Sequence, residues 1–113
     1  MTKGKVVLVP FPFDDLSSAK VRAAVCLTEP IGLYRHVVLA FITSREPDQP
    51  LRSDVRLDSG TVDFVATGLR VSSTLRLHRL MTVSAAIIQR ELGELSPAIQ
   101  ADVDTKLRQL FGL

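Results

Sequence analysis

Few residues in this chain can do chemistry, and their spacing limits how they combine. Cys26, the only cysteine, sits inside VRAAVCLT, where apolar neighbours on both sides make it core packing rather than a nucleophile. His36 and His78 are forty-two positions apart with no obvious third ligand, so structural or surface roles outweigh metal ligation. His78 serves as a proton carrier only if the fold brings it to a site. Asp14 and Asp15 are adjacent, and adjacent side chains of an extended chain point to opposite faces. They converge on one proton or metal only at a turn, and a loop cap or solvated turn is the simpler reading. Arg22 opens the second apolar segment, while Thr43 and Ser44 end the strongest one, and neither is needed to complete a hydrophobic pattern. Spacing does not decide whether they meet, and local evidence favours a surface arginine and a strand-ending Thr-Ser. The chain has no GxxxxGK phosphate loop, no GxGxxG, no HExxH and no paired cysteines.

The elements that must position these residues are mostly strands. Segments 6–11, 22–28 and 37–43 are short and rich in β-branched and apolar residues, and DVRLD at 54–58 alternates as a half-buried or edge strand does. VVLAFIT is apolar on both faces, so it needs cover from a curled sheet on one side and from a helix or partner subunit on the other. Pro10 and Pro12 cannot donate ladder hydrogen bonds and belong at an edge, a bulge or the end of the first strand. With Phe11 and Phe13 they make a stiff rim that fixes the base of a polar loop, DDLSSAK.

Further along, SREPDQPLRS at 44–53 reads as an exposed loop, and GTVDFVATGLR at 60–70 returns the chain across the body. Ser73 to Leu77 alternates as another strand. MTVSAAIIQREL fits a strand at its start and either a short helix or a strand from Ala85 to Leu92, with Gly93 as a stop. Ser96 as N-cap, Pro97 as first helical residue, and Ile99, Val103, Leu107, Leu110 and Phe111 on one stripe predict a C-terminal amphipathic helix of about four turns. The expected architecture is mainly β: a curled antiparallel sheet closed by that helix.

One domain, residues 1–113, accounts for the length, and 46% hydrophobic composition supplies a core, although so small a domain gains from dimerisation. Fourteen basic and twelve acidic residues give a charge of +2, too slight to name a nucleic-acid partner. Lys20, Arg22, Arg35, Arg45, Arg52 and Arg56 nevertheless fall among loops and strand ends of the first half and allow a local basic groove. No run approaches the roughly 18 to 20 apolar residues of a membrane span, and MTKGK does not open a signal peptide. A cytoplasmic protein with no membrane partner is expected.

The order of GKVVLVPFPFDDLSSAKVRAAVCL, VVLAFITS, TGLRVSSTLRLHRLMTV and a helix after GELS resembles the PemK/MazF family, the toxins of bacterial type II toxin-antitoxin pairs, over residues 4–111. The resemblance implies an SH3-like barrel homodimer that cleaves single-stranded RNA without metal or cofactor, leaving 2′,3′-cyclic phosphate and 5′-hydroxyl ends, and that is blocked by a cognate antitoxin. It places the family's arginine on Arg22 and its threonine on Thr43 as catalytic residues. Asp14, Ser17, Ser18, Lys20 and Ser44 stand around them as substrate-binding positions, with the DDLSSAK loop over the RNA groove. Three positions depart from the usual pattern: Lys5 replaces an acidic residue, Ala23 replaces a proline, and Asp14 replaces an uncharged polar residue. Each can alter the groove while sparing the buried strands, so a second reading stands beside the first: a member that binds antitoxin or RNA without cutting.

Overall fold

The computed structural model describes residues 1–11 and 20–113, with the side chain of Phe11 excepted. Six strands form one antiparallel sheet: β1 (Lys5–Phe11), β2 (Lys20–Cys26), β3 (His36–Thr43), β4 (Asp54–Leu57), β5 (Ser73–Ser84) and β6 (Arg90–Glu94). Their order across the sheet is β4-β5-β3-β2-β1-β6, which curls into a half-barrel closed by helix α1 (Pro97–Leu110). β3 is central, and both of its faces are buried. Ala40 and Ile42 join Val25, Leu75 and Val103 on the side that the helix covers. Val37, Leu39 and Phe41 pack with Val9, Cys26 and Val83 on the other.

The double cover that VVLAFIT requires therefore exists within one chain. Leu39 is fully buried, and its truncation to alanine is expected to cost about 3 kcal/mol. Pro10 lies opposite Val21, beyond Leu8, where the β1–β6 ladder ends, so its missing N–H removes no ladder bond on that side. The rim role assigned to Pro12 and Phe13 lies outside the described residues.

β5 is longer than the sequence suggests. It runs on through the MTV segment to Ser84 by way of an irregularity, with Ala40 pairing Leu80 while Phe41 pairs Arg76. Leu77, His78 and Arg79 fill the extra positions, and the kink lets one strand serve both halves of the curled sheet. Ala85–Ile87 then make a short 3-10 turn before β6, so the ambiguous stretch holds a turn and a strand in succession.

Gly93 does not stop that strand. It lies inside β6, opposite Val6 next to a register shift, where a Cβ would collide with the Ala66 carbonyl oxygen. Glycine is there because a second 3-10 segment, Val62–Thr67, lies directly on β6. At Gly68, which ends that segment at φ 72°, an added Cβ would run just as closely into the Leu92 carbonyl.

Helix α1 begins as its sequence signals. The Ser96 hydroxyl accepts from the Ile99 amide at 3.2 Å, with Pro97 in the first turn. The apolar stripe is only partly used: Val103 is fully buried and Ile99 and Leu107 pack on the core, but Leu110 and Phe111 are 38% and 59% exposed. Lys106 ties the helix to the sheet by donating from Nζ to the Asp54 carbonyl at 2.9 Å. No helix among the described residues is long and apolar enough to cross a membrane.

Candidate active site at the ends of the central strands

β2 and β3 are joined through Ala24–Phe41, Val25–Ala40 and Cys26–Leu39. Carrying that register two residues further sets Arg22 across from Thr43, on the face that Ala24 and Phe41 occupy, because cross-strand neighbours share a face. The paired register itself ends at Ala24–Phe41, and strand alternation beyond it puts Arg22 and Thr43 on the same face of adjacent strands. On the other flank of β3, Thr43 faces Thr74 of β5, and Thr74 faces Arg56 of β4. A row Arg22, Thr43, Thr74, Arg56 therefore crosses four strands.

Local bonds fix the row. Thr43 is half-buried, and its hydroxyl accepts from the Arg45 amide at 3.1 Å and lies 3.3 Å from the Arg45 carbonyl, to which it donates. Such a threonine turn at the strand's end holds the side chain in one orientation. Thr74 is almost fully buried, and its Oγ1 accepts from Arg56 Nη1 at 3.1 Å. Arg22 and Arg56 are exposed. One step inward on the same face, Arg76 Nε meets Asp54 Oδ1 at 3.1 Å.

Ser44 belongs to the other side of the strand ends. With Ala23 and Ile42 it lines a cleft of about 200 Å³ that Arg22 borders and that Arg70 and Ser73 complete. The sequence reading grouped Ser44 with Thr43, and the cleft separates them by one residue of alternation while leaving both beside Arg22. Lys20 is exposed at the start of β2, and alternation puts it on Arg22's face. Asp14, Ser17 and Ser18 lie outside the described residues. Arg70 and Thr74 were missed as site neighbours, and Arg56 was named only among the cations of a local basic groove: Arg70 follows Gly68 in the GLR segment, whereas Thr74 and Arg56 come beside Thr43 only through strand register.

The departures from the family pattern separate on the same grounds. Lys5 Nζ lies 3.6 Å from Glu91 Oε1 and 3.5 Å from Glu94 Oε2, so it ties β1 to β6 at the other edge of the sheet. Ala23 does line the cleft.

Other chemically capable groups are accounted for elsewhere. Burial, with the Glu29 and Glu91 carboxylates, pushes the Cys26 thiol up to about 11, far from a reactive thiolate. The Glu29 carboxyl is held below its ordinary range by hydrogen bonds from the Thr2 and Lys3 amides. His36 is exposed and sits 6.3 Å, ring to ring, from Tyr34. His78 is exposed in the β5 irregularity and lines a separate cleft with Arg52 and Lys106. Among the described residues no three His, Cys, Asp or Glu groups cluster as metal ligands.

Comparison with known proteins matches residues 2–111 to the PemK-like, MazF-like toxins of type II toxin-antitoxin systems. The chain belongs to that family. Similar solved structures include the Mycobacterium tuberculosis toxin MazF-mt6, at TM-score 0.73 and 19% identity over 96% of this chain and 97% of that one. A mycobacterial endoribonuclease in complex with its cognate antitoxin superposes at TM-score 0.73 and 17% identity, over 100% and 96% of the two chains. MazF from Deinococcus radiodurans gives 0.70 and 20%, over 100% and 97%. No match is found among curated proteins.

Proposed function

We propose that this chain is a toxin endoribonuclease that cleaves single-stranded RNA, mRNA in the cell, and that a cognate antitoxin inhibits it. The observation that carries the reading is the register relation of Arg22 and Thr43 on one face, in a chain of a family of toxins. In the proposed reaction the ribose 2′-hydroxyl oxygen attacks the neighbouring phosphorus. The bond from phosphorus to the 5′ oxygen breaks, the 2′ proton leaves to solvent, and the departing oxygen takes up a proton. A 2′,3′-cyclic phosphate and a 5′-hydroxyl end result.

Arg22 suits the charge that develops on the non-bridging oxygens, since a guanidinium stays ionised and presents a planar fork. Its permanent charge makes it a poor base. Thr43, whose oxygen is held by the Arg45 amide, orients the phosphate by turning its one O–H from the Arg45 carbonyl to a phosphate oxygen. Because the substrate supplies the nucleophile, the scheme needs no cysteine, metal or cofactor. Ser44 and Lys20, with Asp14, Ser17 and Ser18 of the first loop, are proposed to contact the strand around the scissile phosphate.

We propose that the toxin acts in the cytoplasm as a homodimer. Leu80, Phe111 and Leu113 are exposed around a groove of about 540 Å³ that Leu107 and Val38 also line, and apolar surface of that kind is usually covered. The antitoxin partner is supported by the mycobacterial neighbour solved with its antitoxin. To test the reading, mixed-sequence single-stranded RNA is incubated with purified protein in excess EDTA and the new ends are mapped. Reproducible cuts bearing cyclic phosphate are expected; intact RNA with folded, antitoxin-free protein would refute it.

A further inference from the structure

We propose that Arg56 is a second phosphate-gripping residue of the Arg22–Thr43 site, contacting the strand one nucleotide or so from the scissile phosphate, with Thr74 as its positioning residue. The chemistry rests on the ribonuclease reading; the contact itself does not.

Register places it. Arg56 pairs Thr74, which pairs Thr43, and strands lie about 4.8 Å apart, so Arg56 stands about 10 Å from Thr43 on the flank opposite Arg22. Its neighbours Val55 and Leu57 are 3% and 1% exposed. Alternation between two buried residues therefore forces the arginine onto the face that carries Thr43.

The side chain is aimed without being used up. Nη1 donates to Thr74 Oγ1, and its other N–H groups have no partner among the described residues. A guanidinium has five donors, so a fork remains for a phosphate. Thr74 is 4% exposed, and a hydroxyl so buried in the sheet is a fixed anchor.

β4 itself is clamped one turn of the pleat earlier. The Asp54 carboxylate accepts from the Leu51 amide at 2.8 Å and from Arg76 Nε, while its carbonyl accepts from Lys106. That carboxylate is thereby matched by Arg76, and Arg56 remains as the positive end of the row on the β4 side.

The competing explanation is structural. β4 is the edge of the sheet, and a charged side chain on an edge strand discourages pairing with another chain. That role predicts no effect on nucleic-acid binding.

The test is anisotropy of a fluorescent, uncleavable single strand, a mixed-sequence 2′-O-methyl RNA, titrated with wild type, Arg56→Ala, Arg56→Lys and Thr74→Val across a salt series. Loss of one phosphate contact is expected to lower the slope of log affinity against log salt by about 0.7, and to weaken binding about tenfold at low salt. Arg56→Lys keeps the slope, and Thr74→Val gives part of the loss. In cleavage, Arg56→Ala raises KM by more than it lowers kcat. A reduced slope in Arg56→Ala supports the contact even if the wild type cuts nothing, in which case only the ribonuclease reading falls. An unchanged slope and affinity in Arg56→Ala, or a wild type that does not bind the strand, overturns the proposal.

Discussion

Thr43 faces Thr74 across the β3–β5 ladder, one step beyond the buried pair Ile42 and Leu75. The buried pair locks the register, because a slip of one residue would turn Ile42 outward and Thr43 into the core. On the proposed mechanism Thr43 contributes its hydroxyl rather than its shape. Thr43→Ser is expected to cleave RNA within a few-fold of wild type, while the isosteric Thr43→Val loses about a hundredfold or more in kcat. Single-turnover cleavage checks this, and an active Thr43→Val would remove the hydroxyl from the site.

Gly93 and Gly68 allow the 3-10 segment to lie on β6. Gly93→Ala would drive a Cβ into the Ala66 carbonyl, a backbone clash expected to cost about 3 kcal/mol or more. Urea denaturation checks it, with a lower midpoint and an unchanged slope. Gly112, at φ 70° with open space around its Cβ position, is the control: alanine there pays only for the backbone strain, about 1 kcal/mol.

These glycines also show where the sequence was legible. Ser96 and Pro97 announced the helix because capping is local, and VVLAFIT announced a doubly covered strand because burial is written in side-chain type. Gly93 was misread as a stop because a glycine that ends an element and one that admits a neighbouring backbone look alike until the neighbour is known. β5 continued past Leu77 because pairing with β3 outweighs the weak local preference of LHRLMTV. The family pattern singled out Arg22 and Thr43, but their placement on one face, and that of Thr74 and Arg56 on the same face, depends on register between strands distant in sequence. Leu110 and Phe111 kept the helical period without the burial that period implied.

Cys26 is raised to about 11 by burial first, so at pH 8 only about one thiol in a thousand is ionised. Iodoacetamide is expected to leave it unmodified in the native protein and to label it on unfolding. The folded state holds this proton more tightly than the unfolded chain. The associated stability is therefore full below the unfolded value near 9 and declines as pH rises toward 11. Cys26→Ala should flatten that decline in a series of melts, and rapid native labelling at pH 8 would contradict the buried assignment.

Phe111 and Leu113 extend the unused end of the helical stripe, 59% and 86% exposed. Light scattering across a dilution series is expected to report about twice the 12.4 kDa of the chain at micromolar concentration. Phe111→Asp should shift the mass toward the monomer. A wild type that remains monomeric throughout would separate this surface from assembly.

The most direct measurement is kcat/KM for RNA cleavage in wild type, Arg22→Ala, Thr43→Ala and the double variant, all in excess EDTA. If the two residues act on one phosphate, each single change costs about a hundredfold or more, and the double variant is little worse than the poorer single one. Either single variant cleaving at the wild-type rate, or losses that multiply as for independent sites, would contradict a shared Arg22–Thr43 site.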